Sequence, residues 1–344
     1  WKLEQVVLLI MNRLKGLIER NFNKCFWISV GVTESYLLYR YVKSSISEFL
    51  HELTKQQEGL VEFNCANHSW KNISNILSAT FLKALAEKYD AEAIINELKS
   101  KPQNKLELWN KLKVVTWCRI FTSVLGQVLL VTLSCIRVHM IAGYMYLNVN
   151  VLPDDLHLKC IESLEFFISH GFHGFCQVVE ERVSLHIGDM PLTEELSPQN
   201  IKDLLKTFTE SLEIQALCFN SCEYFINKQQ VFKNSSAKAS HYEVQEIFTS
   251  PDTHSVVEDL LNSGIGQMSD YLEANLLEVG VQKIKLAKLL PILNQMCHCL
   301  DGCNRIMLQN MLTSHKVNHL AANIYESYSN YETNIPLDSS EVQI

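Results

Sequence analysis

The chain has few of the residues that interrupt regular backbone structure. It contains 12 glycines and 7 prolines in 344 residues. A β-sandwich or a barrel needs many turns, and these numbers are too small to supply them. No run of alternating apolar and polar residues competes with the helical patterns either. The sequence therefore predicts an all-α fold, a large elongated helical bundle whose helices bury one apolar face each against their neighbours.

The chain also lacks a basic surplus and a regular cysteine framework. The formal net charge is −8, with a pI near 5.9, whereas a nucleic-acid surface needs clustered lysine and arginine. The 11 cysteines are scattered and odd in number, which is typical of thiols in a reducing compartment. These features exclude a nucleic-acid partner and a secreted disulfide scaffold, and they predict exposure to the cytosol.

Motifs for catalysis and cofactor binding are missing as well. The sequence has no Gly-rich dinucleotide fingerprint, Walker loop, nucleophile elbow or His-Glu-x-x-His motif. The nearest candidate combines three thiols and an imidazole at Cys297, His298, Cys299 and Cys303. Structural zinc usually takes paired Cys-x-x-Cys knuckles, and Cys297 and Cys299 would point about 200° apart on a helix. We predict a protein that is not an enzyme, without metal, cofactor or small-molecule substrate; a thiol or metal enzyme is the rival hypothesis.

The most informative segment is the apolar block Ile120–Ile136, which has no charged residue and is bracketed by Arg119 and Arg137. Its length, roughly 17 residues, is at the lower limit for crossing a bilayer. Gln127 and four small hydroxyl residues inside it suit a helix surrounded by protein. An amphipathic stripe precedes the block at Lys105, Leu108, Trp109 and Leu112. Two readings stay open: a buried core helix, or a second membrane span of a polytopic protein.

A second apolar stretch lies near the N-terminus, at Cys25–Tyr39, with basic residues on both sides. This is the order of a signal-anchor without a cleavage site. Glu34 is unfavourable within it, by about 2.5 to 3.5 kcal/mol on insertion scales. An amphipathic helix docked on the body is the alternative. Because the chain begins at Trp1, we expect residues 1–10 to be an upstream extension, with Met11 as the natural start.

Helix starts are predicted further along the chain by serine followed by proline, at Ser197-Pro198 and Ser250-Pro251, each with an apolar stripe behind it. Segments 148–155, 188–199 and 233–241 are predicted loops. The polar, acidic segment 330–344 is predicted to be a disordered tail.

An ordered set of short motifs resembles the peroxin-3 family of peroxisomal biogenesis factors. Each motif is weak alone, but together they span the chain from Met11 to about Ser329. They are Asn104–Trp109 with the apolar block after it, Ala142–Leu147, Ser250–Asp252, Leu286–Asn294 and Ala321–Glu326.

The resemblance implies a single-pass protein of the peroxisomal membrane with its bulk in the cytosol. Residues 1–24 would face the matrix, residues 25–43 would hold the anchor Phe26–Tyr39 in the membrane lipid, and residues 44–329 would form the cytosolic helical domain. Ile120–Ile136 would be its central core helix. The family docks the farnesylated chaperone peroxin-19, which carries new peroxisomal membrane proteins, and thereby helps insert them and build the organelle.

The family's binding pocket carries over to six positions of this chain. A partner segment that folds into an amphipathic helix needs an apolar groove with a large anchor and a polar rim. Trp109 would be that anchor, and the lysines would hold acidic groups of the partner at the rim, with their stems packed on the groove. A plain core tryptophan is the alternative for Trp109. The predicted partner-binding residues are Leu98, Lys105, Leu108, Trp109, Leu112 and Lys288.

Overall fold

The computed structural model describes the backbone of residues 32–147, 166–211, 224–225, 235–278, 283–298 and 303–329. Side chains are described from residue 57 onward within these ranges, except at 235–241, 277–278, 296–298 and 303. The chain divides into two compact units, residues 1–60 and 61–344. All packing reported below belongs to the second unit.

The described residues are almost entirely helical, which confirms the predicted all-α class. A short π-helical turn at Phe167–Gly171 leads into α4, and a two-residue antiparallel pair joins β1 (Glu195–Leu196) to β2 (Ile284–Lys285). The helices are α1 (Val32–Lys88), α2 (Ala91–Lys99), α3 (Lys105–Leu147), α4 (Phe172–Ile187), α5 (Pro198–Thr209), α6 (Ser235–Phe248), α7 (Pro251–Glu278), α8 (Leu286–His298), α9 (Cys303–Thr313) and α10 (His315–Ser329).

Both predicted serine-proline starts are confirmed. The hydroxyl of Ser197 accepts a hydrogen bond from the Asn200 N–H in a capping box, and that of Ser250 accepts one from the Thr253 N–H. Each cap satisfies a backbone donor that the first turn leaves without a partner. The predicted loop 233–241 is wrong from Ser235 onward, where α6 begins. The segment 148–155 and the tail 330–344 lie outside the described residues.

Helix α3, 43 residues long, is the centre of the second unit. Helices α1, α2, α4 and α6 to α10 all pack around it, and every residue of the block Ile120–Ile136 is buried. Among the described residues, α3 alone is long and apolar enough to cross a membrane, and 94% of its most apolar window is buried inside the protein. The surrounding protein therefore supports the core-helix reading.

The predicted anchor Phe26–Tyr39 lies where no side chain is described, although α1 includes its last residues from Val32.

The hydroxyl and amide groups of α3 explain how a helix this apolar is held in one orientation. Trp70 of α1 donates its indole N–H to the Val131 carbonyl and the Ser134 hydroxyl, each at 3.2 Å. About two turns further along α1, Ser78 donates to the Gln127 amide oxygen at 3.2 Å. Such bonds satisfy groups whose burial without a partner is costly, and they fix the register of α1 on α3.

A close approach of two helices occurs at Gly126 of α3. A Cβ atom there would overlap the Phe81 ring of α1. Phe81 is fully buried and packs against the rings of Phe167 and Phe172, at centroid distances of 6.0 and 5.7 Å. A side chain at position 126 would therefore have to displace a buried ring that two other rings contact.

We expect Gly126→Ala to lower the free energy of unfolding by about 1 to 2 kcal/mol, because overpacking outweighs the gain of about 1 kcal/mol in helix propensity. Urea unfolding followed by circular dichroism measures this. In a Phe81→Leu background, which opens space at the ring, the same substitution should cost less. An equal cost in both backgrounds would contradict the packing explanation.

His139, also on α3, is fully buried between the rings of Phe63 and Trp70. Its Nδ1 lies 2.8 Å from the Cys135 carbonyl oxygen, and burial lowers its pKa from 6.5 to about 4. The folded protein therefore holds this imidazole neutral under conditions in which an unfolded chain would take up a proton.

Stability should consequently fall as the pH drops from about 6.5 to about 4, with His139 contributing a loss of up to about 3 kcal/mol at the lower end. The sign follows because the unfolded state binds the proton first. His139→Phe keeps an aromatic ring without a titrating group. Chemical unfolding of both proteins across this range should show a shallower loss for the variant, and parallel curves would exclude the histidine as the source.

Candidate functional site

The predicted site residues lie on three helices that meet at one end of α3. Helix α2 ends at Lys99, and Lys101 adopts φ +57°, the left-handed conformation that often terminates helices. Pro102 follows, and α3 begins at Lys105. Because this turn is short, α2 and α3 run antiparallel, and Leu98 at the end of α2 lies beside the first turns of α3.

A buried polar clamp holds the third helix, α8, against this hairpin. Arg119 of α3 is 2% exposed. It donates to the Asn294 amide oxygen of α8 at 3.2 Å and lies 3.7 Å from Glu92 of α2. Asn294 in turn donates to Glu92 at 2.6 Å. Three helices thus share one hydrogen-bonded cluster, which compensates the burial of the guanidinium.

The start of α8 is tied to the same end of the molecule. The N–H groups of Leu286 and Ala287 donate to the carbonyls of Glu194 and Leu192, at 2.8 and 3.0 Å. Lys113 of α3 bonds to Gly188 and Met190, just before the residues that hold the start of α8, whereas Arg119, six residues later in α3, bonds to Asn294 further along α8. Helix α8 therefore runs in the same direction as α3. Lys288 is therefore placed toward the start of α3. Ile284, four residues before Lys288, belongs to β2 and not to the helix.

Exposure separates the predicted residues into three groups. Leu108 and Leu112 are buried, at 5% and 1% exposure, so they support the surface from below and cannot serve as its face. Leu98 and Trp109 are half-buried and packed against the core. Lys105 and Lys288 are exposed.

Sequence analysis missed Leu106, which is 70% exposed. It stands three residues before Trp109, where helical side chains are neighbours. We call Leu98, Lys105, Leu106, Trp109 and Lys288 the candidate surface. Leu106 lies outside the stripe predicted from the sequence. The sequence nevertheless contained a sign of it, because a leucine at this position makes the first turn of α3 apolar on more than one side.

Trp109 differs from the other tryptophans whose side chains are described. Trp70 and Trp117 are both 0% exposed, and they act as core residues in α1 and α3. Trp109 keeps part of its indole accessible while resting on the core. A large aromatic side chain that is partly supported and partly open is typical of an anchor for a binding partner.

Two lysines of the candidate surface stand at helix starts. Lys105 is the first residue of α3 and Lys288 is the third of α8, so both lie at the helix ends where the macrodipole is already positive. Neither lysine forms an ion pair within the described part of the chain. An unpaired cation at a helix start is locally unfavourable, and an acidic partner group would relieve it.

One turn beyond Trp109, the same face of α3 is closed by residues 188–196, which we call the strap. Lys113 lies four residues after Trp109 and is 1% exposed. Its ammonium donates to the carbonyls of Gly188 and Met190, each at 2.7 Å. Burial lowers the pKa of Lys113, and the charge of Asp189 opposes that shift. The candidate surface therefore ends where the strap begins.

The described residues contain no group of three or more histidine, cysteine, aspartate or glutamate side chains that could hold a metal ion. Burial raises the pKa of the Cys176 thiol to about 12, and it raises the pKa of Cys118 and Cys135 further. These thiols stay protonated and unreactive. The side chains of the Cys297 to Cys303 group lie outside the described residues.

Fold and surface together define an all-α protein built around a buried apolar helix, with a small aromatic and basic surface at one end. The proteins it resembles are peroxisomal biogenesis factors. The chain is 22% identical to "Peroxisomal biogenesis factor 3" of Rattus norvegicus over 366 residues, 93% of this chain and 98% of the relative. Identity to the Homo sapiens protein of that name is also 22%, over 91% of this chain and 96% of the relative.

A plant relative extends the similarity. "Peroxisome biogenesis protein 3-1" of Arabidopsis thaliana is 22% identical over 82% of this chain and 88% of its own length. No family model matches the chain. The resemblance to peroxisomal biogenesis factor 3 expected from the sequence motifs is thereby confirmed.

Proposed function

We propose that this protein acts in peroxisome biogenesis as a membrane docking receptor for the farnesylated chaperone peroxin-19, and that it catalyses no reaction. The relatives' names support a role in building the peroxisome. The single observation that carries the docking role is the half-buried Trp109 at an open helix end, with two lysines at the same end of the structure that form no ion pair within the described residues.

The mode of binding follows from the chemistry of the candidate surface. An amphipathic partner helix would lay its apolar side on Leu98, Leu106 and Trp109, while its acidic groups would approach Lys105 and Lys288. Leu108 and Leu112 lie beneath and keep the indole in place. Because the backbone of these helices is preorganised, little of the binding free energy is spent on ordering the receptor.

The proposed topology is a single N-terminal anchor at Phe26–Tyr39 with residues 44–329 in the cytosol. Its support is that α3, the competing candidate for a span, packs inside the protein. A polytopic protein with Ile120–Ile136 as a second span would require this helix to exchange its protein contacts, including the Trp70 and Gln127 hydrogen bonds, for lipid.

We expect Trp109→Ala to weaken binding of purified peroxin-19 by about 2 kcal/mol or more, because the central anchor is lost. The buried floor of leucines remains, so helix content and melting temperature should stay near wild type. Titration calorimetry with the full-length protein in detergent measures the affinity. Leu185→Ala is the matched control, since Leu185 is as exposed as Leu106 but lies on α4. Wild-type affinity for the tryptophan variant would disprove the docking role.

Lys288→Glu should slow association with peroxin-19 by about fivefold at low salt, since it reverses a charge that steers an acidic partner. The difference should shrink as ionic strength rises. Lys111→Glu makes the same change in net charge on the side of α3 pointing away from Trp109 and should have little effect. Stopped-flow rates at several salt concentrations provide the comparison. Equal rates for both variants would remove Lys288 from the site.

A further inference from the structure

We propose that Lys113 is a positioning residue for the docking site, acting through the strap on the start of α8 and so on Lys288. This inference rests on the proposed function and adds to it a residue that the partner does not touch. The starting observation is a lysine with 1% exposure inside an otherwise apolar helix face.

Folding alone gives little reason for a lysine at this position. Taking an ammonium out of water is costly, and replacing a buried charge with an apolar side chain of similar volume is often neutral or stabilising. The Lys113 ammonium nevertheless donates two short hydrogen bonds to one segment, at the carbonyls of Gly188 and Met190. Both carbonyls lie at the end of α4, where the helix dipole favours a cation. The lysine therefore defines where the strap leaves α4.

The strap is joined to the start of α8 by backbone hydrogen bonds, so its position determines where α8 begins. Glu195 and Leu196 pair with Lys285 and Ile284. The carbonyls of Leu192 and Glu194 then accept the N–H groups of Ala287 and Leu286. These are the first two N–H groups of α8, which have no acceptor within their own helix. The strap thus supplies the cap of α8, and Lys288 is the next residue.

Two independent ties consequently fix α8 along its length. The Arg119 clamp holds it at Asn294, and the strap holds its first turn. Without Lys113 the Arg119 clamp would remain, so α8 would stay packed on α3 while its first turn lost its ordered structure. Such fraying would move Lys288 away from a preorganised position and increase the entropy lost on binding.

The test uses the full-length protein and purified peroxin-19. Lys113→Met keeps the side-chain length and removes the donor. Gly188→Ala disturbs the strap while keeping the Lys113 side chain, because a Cβ there would overlap the Ser184 carbonyl. Lys288→Met removes the positioned charge, and Lys111→Met is the control on an exposed lysine of the same helix. Hydrogen exchange by mass spectrometry and calorimetry are measured on each variant.

We expect Lys113→Met and Gly188→Ala to speed amide exchange at residues 286–287 about tenfold, while the middle of α3 stays protected. Both should weaken peroxin-19 binding about fivefold. The double variant Lys113→Met/Lys288→Met should bind within about twofold of Lys288→Met alone, because two residues acting through one contact are not additive. Lys111→Met should change neither quantity.

Three outcomes would overturn the proposal. Unchanged exchange at residues 286–287 in folded Lys113→Met and Gly188→Ala proteins would show that the strap does not need the lysine. Faster exchange throughout α3 in both variants would make Lys113 a general stability residue. If the double variant lost affinity by the product of the two single losses, Lys113 and Lys288 would act independently. If Trp109→Ala bound normally, the docking function would fail, while the exchange data would still decide the role of Lys113.

Discussion

The structure depends on burying the apolar block Ile120–Ile136 of one helix. Helix α3 has too many apolar residues to leave exposed, and its hydroxyl, amide and guanidinium groups cannot be buried without partners. Neighbouring helices meet both demands at once. Trp70 and Ser78 of α1 bond to its later turns, and Asn294 of α8 and Glu92 of α2 bond to Arg119 nearer its start. Apolar burial supplies the stability, and these polar contacts select one register for each surrounding helix.

The enclosure of α3 is incomplete at its two ends, and the candidate surface lies at its first turns. Beyond Lys113 the strap covers the face that carries Trp109, while before it the helix is open to solvent. A binding surface here is therefore an extension of the core: buried Leu108 and Leu112 hold the indole from below, and the charged residues stand around it. This explains how a rigid scaffold presents an apolar anchor without exposing a large apolar patch.

Much of the fold could be predicted from local patterns. The shortage of glycine and proline implied long helices, and the serine-proline pairs at 197 and 250 located two helix starts to the residue, because a cap satisfies donors within its own turn. The predicted loop 233–241 is wrong from Ser235 onward, because a polar composition does not prevent a helix that neighbouring elements stabilise. The β1–β2 pair was not predictable, because two-residue strands separated by a long stretch of sequence have no period to detect.

The sequence by itself determined which side chains are available: an uncharged block, a tryptophan with leucines at helical spacing, and motifs ordered as in the peroxin-3 family. Only the tertiary structure decided what each side chain does. It buried Leu108 and Leu112, left Leu98 and Trp109 half open, and covered Lys113 with the strap. The reason is that helical spacing defines a face, whereas exposure depends on which distant segments cover that face, and those contacts are not encoded in any local period.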